Sequence, residues 1–126
     1  MNRSKQITIA ALLATGLYVA ACGPDVTEVP MPRALIGVWT TRNAAYANRS
    51  FEFSADTIVL GTSALTSERY TVSRVLLDQD DTGALYTVEY ADSLGGDYVM
   101  RFYFDAASGA VRLKNQLQIT WRKGGR

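Results

Sequence analysis

The 126-residue chain contains no histidine. Histidine is the commonest general base and a frequent metal ligand. Its absence excludes zinc hydrolysis at histidine sites, histidine-based nucleophilic triads and histidine-ligated haem. There is a single cysteine, Cys22, so no internal disulfide can form and the core must hold the fold alone. The three prolines, Pro24, Pro30 and Pro32, all fall in one short stretch near the start. Neither sign of charge is in excess: the formal net charge is +1, which offers no basic stripe for nucleic acid.

What is present begins with the surroundings of Cys22. Arg3 and Lys5 precede an apolar run, Ile7 to Ala21, that ends on small residues. A positive start, an apolar middle and a small-residue exit describe a secretion signal. As a transmembrane anchor the run is near the lower length limit, contains Gly16, and stops at Cys22-Gly23-Pro24 without flanking positive charge. Val19-Ala20-Ala21-Cys22 resembles the lipobox of bacterial lipoproteins. That resemblance implies thioether lipidation of Cys22, removal of residues 1–21, and acylation of the new amino terminus, with palmitate-type chains. One acyl chain binds a membrane marginally, at about 0.8 kcal/mol per buried methylene, whereas the lipoprotein pattern implies three, which hold it stably. Gly23 rather than Asp after Cys22 resembles the default pattern for transfer to the bacterial outer membrane, which implies a lipid-anchored, periplasm-facing protein. Loss of Arg3 and Lys5 leaves 11 of the 13 basic residues against 12 acidic ones.

Gly23 to Arg33 is rich in proline, which resists helix and sheet. It reads as a tether with a reach on the order of 35 Å at about 3.1 Å per residue. The expected organisation is a signal peptide over 1–21, lipidated Cys22 and tether over 22–33, a β-barrel domain over 34–123, and a tail over 124–126. From Ala34 onward the apolar period is two, the mark of half-buried strands. Eight strands are expected: Ala34–Thr41, Ser50–Ser54, Thr57–Leu60, Glu68–Leu77, Ala84–Ala91, Tyr98–Asp105, Ala110–Leu113 and Leu117–Lys123. In Glu68–Leu77 the pattern slips, since Tyr70 and Val72 share one face and Val75 and Leu77 the other. A one-residue β-bulge near Ser73-Arg74 restores the phase. Tight turns between regularly spaced strands argue for an antiparallel meander, and closing its edges gives a barrel. The fold class is all-β, a small eight-stranded up-and-down barrel.

Leu35-Ile36-Gly37-Val38-Trp39 resembles the G-x-W signature of lipocalins, and with the lipobox and the meander the chain is similar to small bacterial lipocalin-like lipoproteins. The resemblance implies that Trp39 plugs the closed end of the barrel and that an arginine near the last strand packs over it, with Arg122 as the candidate. The expected inward side chains include Leu35, Phe51, Phe53, Ile58, Tyr86, Val88, Phe102, Leu117, Ile119 and Trp121. An eight-stranded barrel is only just wide enough for side chains to fill. Two readings therefore stay open: a solid aromatic core, or a cup for an apolar ligand lined by Trp39, Tyr70, Tyr86, Tyr90 and Tyr98.

Asp78-x-Asp80-x-Thr82-Gly83, with Glu89 twelfth in the run, matches much of the EF-hand template. Its flanks are strand formers rather than helices, which leaves Asp78, Asp80 and Asp81 as a weak calcium candidate and no other metal site. Thr82-Gly83-Ala84-Leu85-Tyr86 and Trp121-Arg122-Lys123-Gly124 resemble segments of membrane-bound inhibitors of c-type lysozyme, which are also small lipidated barrels. No catalytic constellation and no cofactor are expected. The leading reading is a non-enzymatic outer-membrane lipoprotein whose barrel binds an apolar small molecule or lipid. The alternative is an envelope protein–protein module, an inhibitor or an accessory to an outer-membrane assembly, acting through loops such as Arg42–Arg49 and Ser93–Asp97.

Overall fold

The computed structural model describes residues 26–63 and 65–124. The strands are β1 (Thr27–Val29), β2 (Gly37–Thr41), β3 (Ser50–Phe53), β4 (Thr57–Gly61), β5 (Ser67–Asp80), β6 (Gly83–Ala91), β7 (Asp97–Asp105), β8 (Ala110–Leu113) and β9 (Trp121–Lys123). From β2 to β9 each strand pairs antiparallel with the next. β9 then returns to β2 through Trp121↔Thr41 and Lys123↔Trp39. Eight strands thus form the closed, lipocalin-like up-and-down barrel that the alternation predicts.

The bulge in β5 is where the side-chain pattern placed it. Val72 pairs with Tyr90 and Arg74 with Glu89, so Ser73 is the extra residue. The shift turns Tyr70 and Val72, then Val75 and Leu77, toward the same core. On the outside, Arg74 grips Glu89 through Nε–Oε1 at 3.0 Å and Nη2–Oε2 at 3.2 Å, a forked pair across the irregular register.

Most of the interior is solid. Trp39, Phe53, Phe102, Leu35, Ile58, Val88 and Val111 are its largest fully buried side chains. Phe53 stacks on Phe102 at 5.5 Å between centroids, and Tyr86 stacks on the other flank of Phe102 at 5.6 Å. Offset aromatic pairs of this kind add to simple area burial.

Two expectations at the ends of the chain need correcting. Residues 27–31 are not a free tether. β1 pairs with the lower half of β5 through Thr27↔Leu77 and Val29↔Val75, and Met31 is buried in the core. Pro30 and Pro32 flank the pairing segment without interrupting it, because proline is tolerated beside an edge strand. The last strand is also shorter than expected. Gln116 N–H donates to the Leu113 carbonyl and Ile119 N–H to the Gln116 carbonyl, so residues 116–119 form turns across the barrel end. Ile119 drops into the core, while Leu117 is left exposed. The lipobox, Cys22 and Arg126 lie outside the described residues.

Candidate functional site

The two ends of the barrel are built differently. At the closed end a short 3-10 turn, Arg33–Leu35, lays Leu35 across the base. Trp39 Nε1–H donates to the Leu35 carbonyl at 2.9 Å, and its ring packs between Phe51 and Phe104. The basic partner is Lys123, not Arg122. Successive side chains alternate across a strand, and Trp121 points inward, so Arg122 points out and donates to the Ser108 carbonyl at 2.8 Å. Lys123 returns to the Trp39 side, with Nζ 6.0 Å from the ring centroid. It also donates to the Ala34 and Ile36 carbonyls at 2.9 and 3.1 Å. Its stem crosses Gly37, where a Cβ would stand 2.6 Å from Lys123 Cδ and where φ is +137°. The glycine of the G-x-W motif therefore makes room for this lysine.

At the open end the tyrosines separate into two groups. Tyr70, Tyr90 and Tyr98 converge, with ring centroids 5.1–5.5 Å apart. Tyr90 is buried, Tyr70 half-buried, and Tyr98 is 42% exposed at the rim. Trp39 and Tyr86, the other residues expected to line a cup, are buried in the packed core below and take no part in the rim.

Carboxylates hold the rim tyrosines. Tyr70 donates to Glu68 Oε1 at 2.6 Å, and this bond, with lesser help from desolvation, pushes its pKa up to about 12. Tyr98 donates to Asp92 Oδ2 at 2.8 Å, while Asp92 Oδ1 accepts the amides of Leu94 and Gly96. The Gly96 amide, then the Tyr98 hydroxyl, hold the Asp92 carboxyl below its usual range. A Cβ on Gly96 would lie 2.9 Å from Asp92 Oδ2, so glycine permits the close approach. Burial raises the pKa of Tyr90.

Beside this cluster the wall is open. β8 pairs only with Phe102–Asp105 of β7, and beyond it the Lys114 amide reaches the Arg101 carbonyl at 2.9 Å. Asp97–Arg101 have no strand partner on that side among the described residues. The gap is a groove of about 550 Å³ whose lining includes Tyr90, Val99, Met100, Arg101, Leu113 and Lys114. Across the barrel the rim is shut: Gln116 Nε2 donates to Tyr46 Oη at 2.7 Å, and Tyr46 and Ile119 lie over Trp121 and the core. Trp121 Nε1 is the one buried side-chain donor without an acceptor among the described residues.

Val99, Arg101 and Asn115 are the groove residues that sequence reasoning does not single out. The available signal was strand length, since a four-residue β8 cannot cover a nine-residue β7.

The remaining candidates do not assemble. Asp80 spends Oδ1 on the Thr82 and Gly83 amides and Oδ2 on the Tyr103 hydroxyl. Asp78 accepts its neighbour's amide, Glu89 is paired with Arg74, and no acidic cluster that could hold a metal exists among the described residues. Asp78, Asp80 and Asp81, the weak calcium candidate, therefore do not come together as such a cluster. The two segments resembling lysozyme inhibitors lie on β6 and β9, which β7 and β8 separate. No family model matches the chain, and neither a curated protein nor a solved structure matches it.

Proposed function

We propose that this is a lipid-anchored envelope protein whose barrel binds an apolar small molecule without converting it. The observation that carries the binding reading is the groove of about 550 Å³ through which Tyr90, Met100 and Leu113 are reached from outside. Small-molecule sites occupy roughly 300–1,000 Å³ and are lined by apolar and aromatic groups with a few polar ones. Arg101 and Lys114 supply those polar groups at the groove's lip. The solid lower core supports a shallow, side-entered site over a deep cup.

The neutral fluorescent dye N-phenylnaphthylamine tests the site. It is expected to bind saturably at micromolar concentration, and Met100→Glu, which carries a charge into the groove, is expected to weaken it at least about tenfold. Absence of saturable binding by about 100 µM, or an unaffected variant, overturns the reading. The anchor is tested by intact mass of protein extracted from membranes. The expected species begins at Cys22 with three acyl chains. An unmodified full-length chain overturns the anchor and leaves the groove to its own test.

A second reading, a protein–protein module of the envelope, rests on the open-end loops. Leu65 and Leu94 are 97% and 93% exposed at their tips, and Leu117, in the connection between β8 and β9, is 44% exposed. Exposed apolar side chains gathered at one end of a domain mark an interaction surface.

A further inference from the structure

The upper half of β7 is an unguarded sheet edge. Alternate residues of a strand turn both backbone polar groups to the same side. The Arg101 carbonyl faces the gap, where it accepts from Lys114, so Val99 and Asp97 present their N–H and C=O groups there as well. Natural sheets usually block such edges with charge, proline or a covering segment. Here the edge does carry charge, but of both signs, and its side chains form a pattern. Asp97-Tyr98-Val99-Met100-Arg101 carries opposite charges two residues either side of Val99, and Val99 is 50% exposed.

That pattern is complementary to itself in one arrangement. Antiparallel pairing about a two-fold axis at Val99 sets Asp97 opposite Arg101 of the partner subunit, and the converse, on one face. Val99 meets its own copy between those two pairs, and Tyr98 stands opposite the partner's Met100 on the other face. Opposite charges directly across an antiparallel pair stabilise it, and like charges destabilise it. Parallel pairing would set Asp97 beside the partner's Asp97. A two-residue slip would oppose one of the two charges to valine and leave the other facing residue 95 or 103, with no opposite charge in either case. Isologous contacts of this kind close after two copies.

We propose that the Asp97–Arg101 edge of β7 pairs with the same edge of a second copy of this chain, giving a two-fold dimer through a continuous sheet in which the Arg101 carbonyl exchanges its own Lys114 amide for the amide of the partner subunit's Asp97. Five paired residues a side bury less than a standard interface, so the dimer is reversible, half-formed on the order of tens of micromolar. The pairing needs no ligand and stands apart from the apolar-molecule reading, although the partner strand would run along the same groove.

Cross-linking of the full chain in its native membrane or in detergent tests this. Residues opposed in a hydrogen-bonded antiparallel pair have Cα atoms about 5.5 Å apart, within disulfide range. Val99→Cys is expected to give a covalent dimer on mild oxidation. Leu94→Cys, nearly fully exposed but off the seam, is expected to give at least about fivefold less. On the Val99→Cys background, Asp97→Arg or Arg101→Asp each opposes like charges and is expected to cut the yield about fivefold or more, and combining them restores it. Equal yields at positions 99 and 94, or indifference to both charge reversals, overturn the dimer. Near-ultraviolet circular dichroism of each variant shows that the barrel is intact when its yield is read.

Discussion

The closed and open ends of this barrel are made of the same residue types and reach opposite results. Both gather aromatic rings, and both use a charged group to hold an aromatic one. At the closed end Lys123 is fixed by two backbone carbonyls and lies over a tryptophan that is itself hydrogen-bonded to Leu35. The base is thereby tied to the last strand. At the open end Glu68 and Asp92 hold tyrosine hydroxyls instead, and the rings they hold pack against Tyr90, which lines a gap in the wall. The difference lies in strand length. β2 and β9 meet at the base, whereas β8 stops before the top of β7. Rings backed by a complete wall become core; rings beside an incomplete one become a lip.

The largest contrast is expected in stability. Trp39→Ala removes a ring that is 1% exposed and is expected to cost about 3–5 kcal/mol in urea unfolding. Leu94→Ser at the open end is expected to stay within about 0.5 kcal/mol of the parent. Comparable losses at both positions would break the division between the ends.

Next in size is the exchange of basic partners at the base. Lys123→Met removes two hydrogen bonds and the charge over Trp39 and is expected to cost about 1–2 kcal/mol. Arg122→Met removes one exposed bond to Ser108 and is expected to cost less than about 0.5 kcal/mol. Urea midpoints in the reverse order would return the role to Arg122.

The smallest effect is a titration. Tyr70 has a folded-state pKa raised from 10.0 to about 12 by its bond to Glu68. A raised pKa stabilises the fold below the unfolded value and loses that contribution as pH climbs through the folded one, here between pH 10 and about 12. Asp92 runs the other way: its depressed pKa contributes above the ordinary carboxylate range and is lost as pH falls through the folded value. In an absorbance titration of the tyrosines, Tyr70→Phe is expected to remove a late-ionising component. A parent curve complete before pH 11 would show that the Tyr70–Glu68 bond does not form in solution.

Much of this architecture was legible beforehand because period-two alternation reports which face is buried. Eight strands, the bulge at Ser73 and the inward Phe51, Phe53, Val88 and Phe102 follow from it. What alternation cannot report is which strand lies beside which, and for how far. The Lys123–Trp39 contact depends on β9 closing onto β2 with Lys123 opposite Trp39, a register visible only in the closed ring. The groove depends on the pairing of two strands of unequal length. β1 is not legible because three residues carry too little pattern, and the prolines around it point to an extended segment without a partner. Residue type alone groups the tyrosines as a single lining. Depth in the barrel divides them, since Tyr86 sits over Phe102 while Tyr90 and Tyr98 sit beneath the loop organised by Asp92.

The pairing of β1 with β5 also bears on the proposed anchor. The first paired residue is Thr27, five residues after Cys22, and five residues span at most about 18 Å even when fully drawn out. A lipid on Cys22 would therefore hold the protein by its sealed base, close against the bilayer. Groove, tyrosines and exposed leucines would be presented toward the aqueous compartment, so cargo or partners would be met there and not taken directly from the host leaflet.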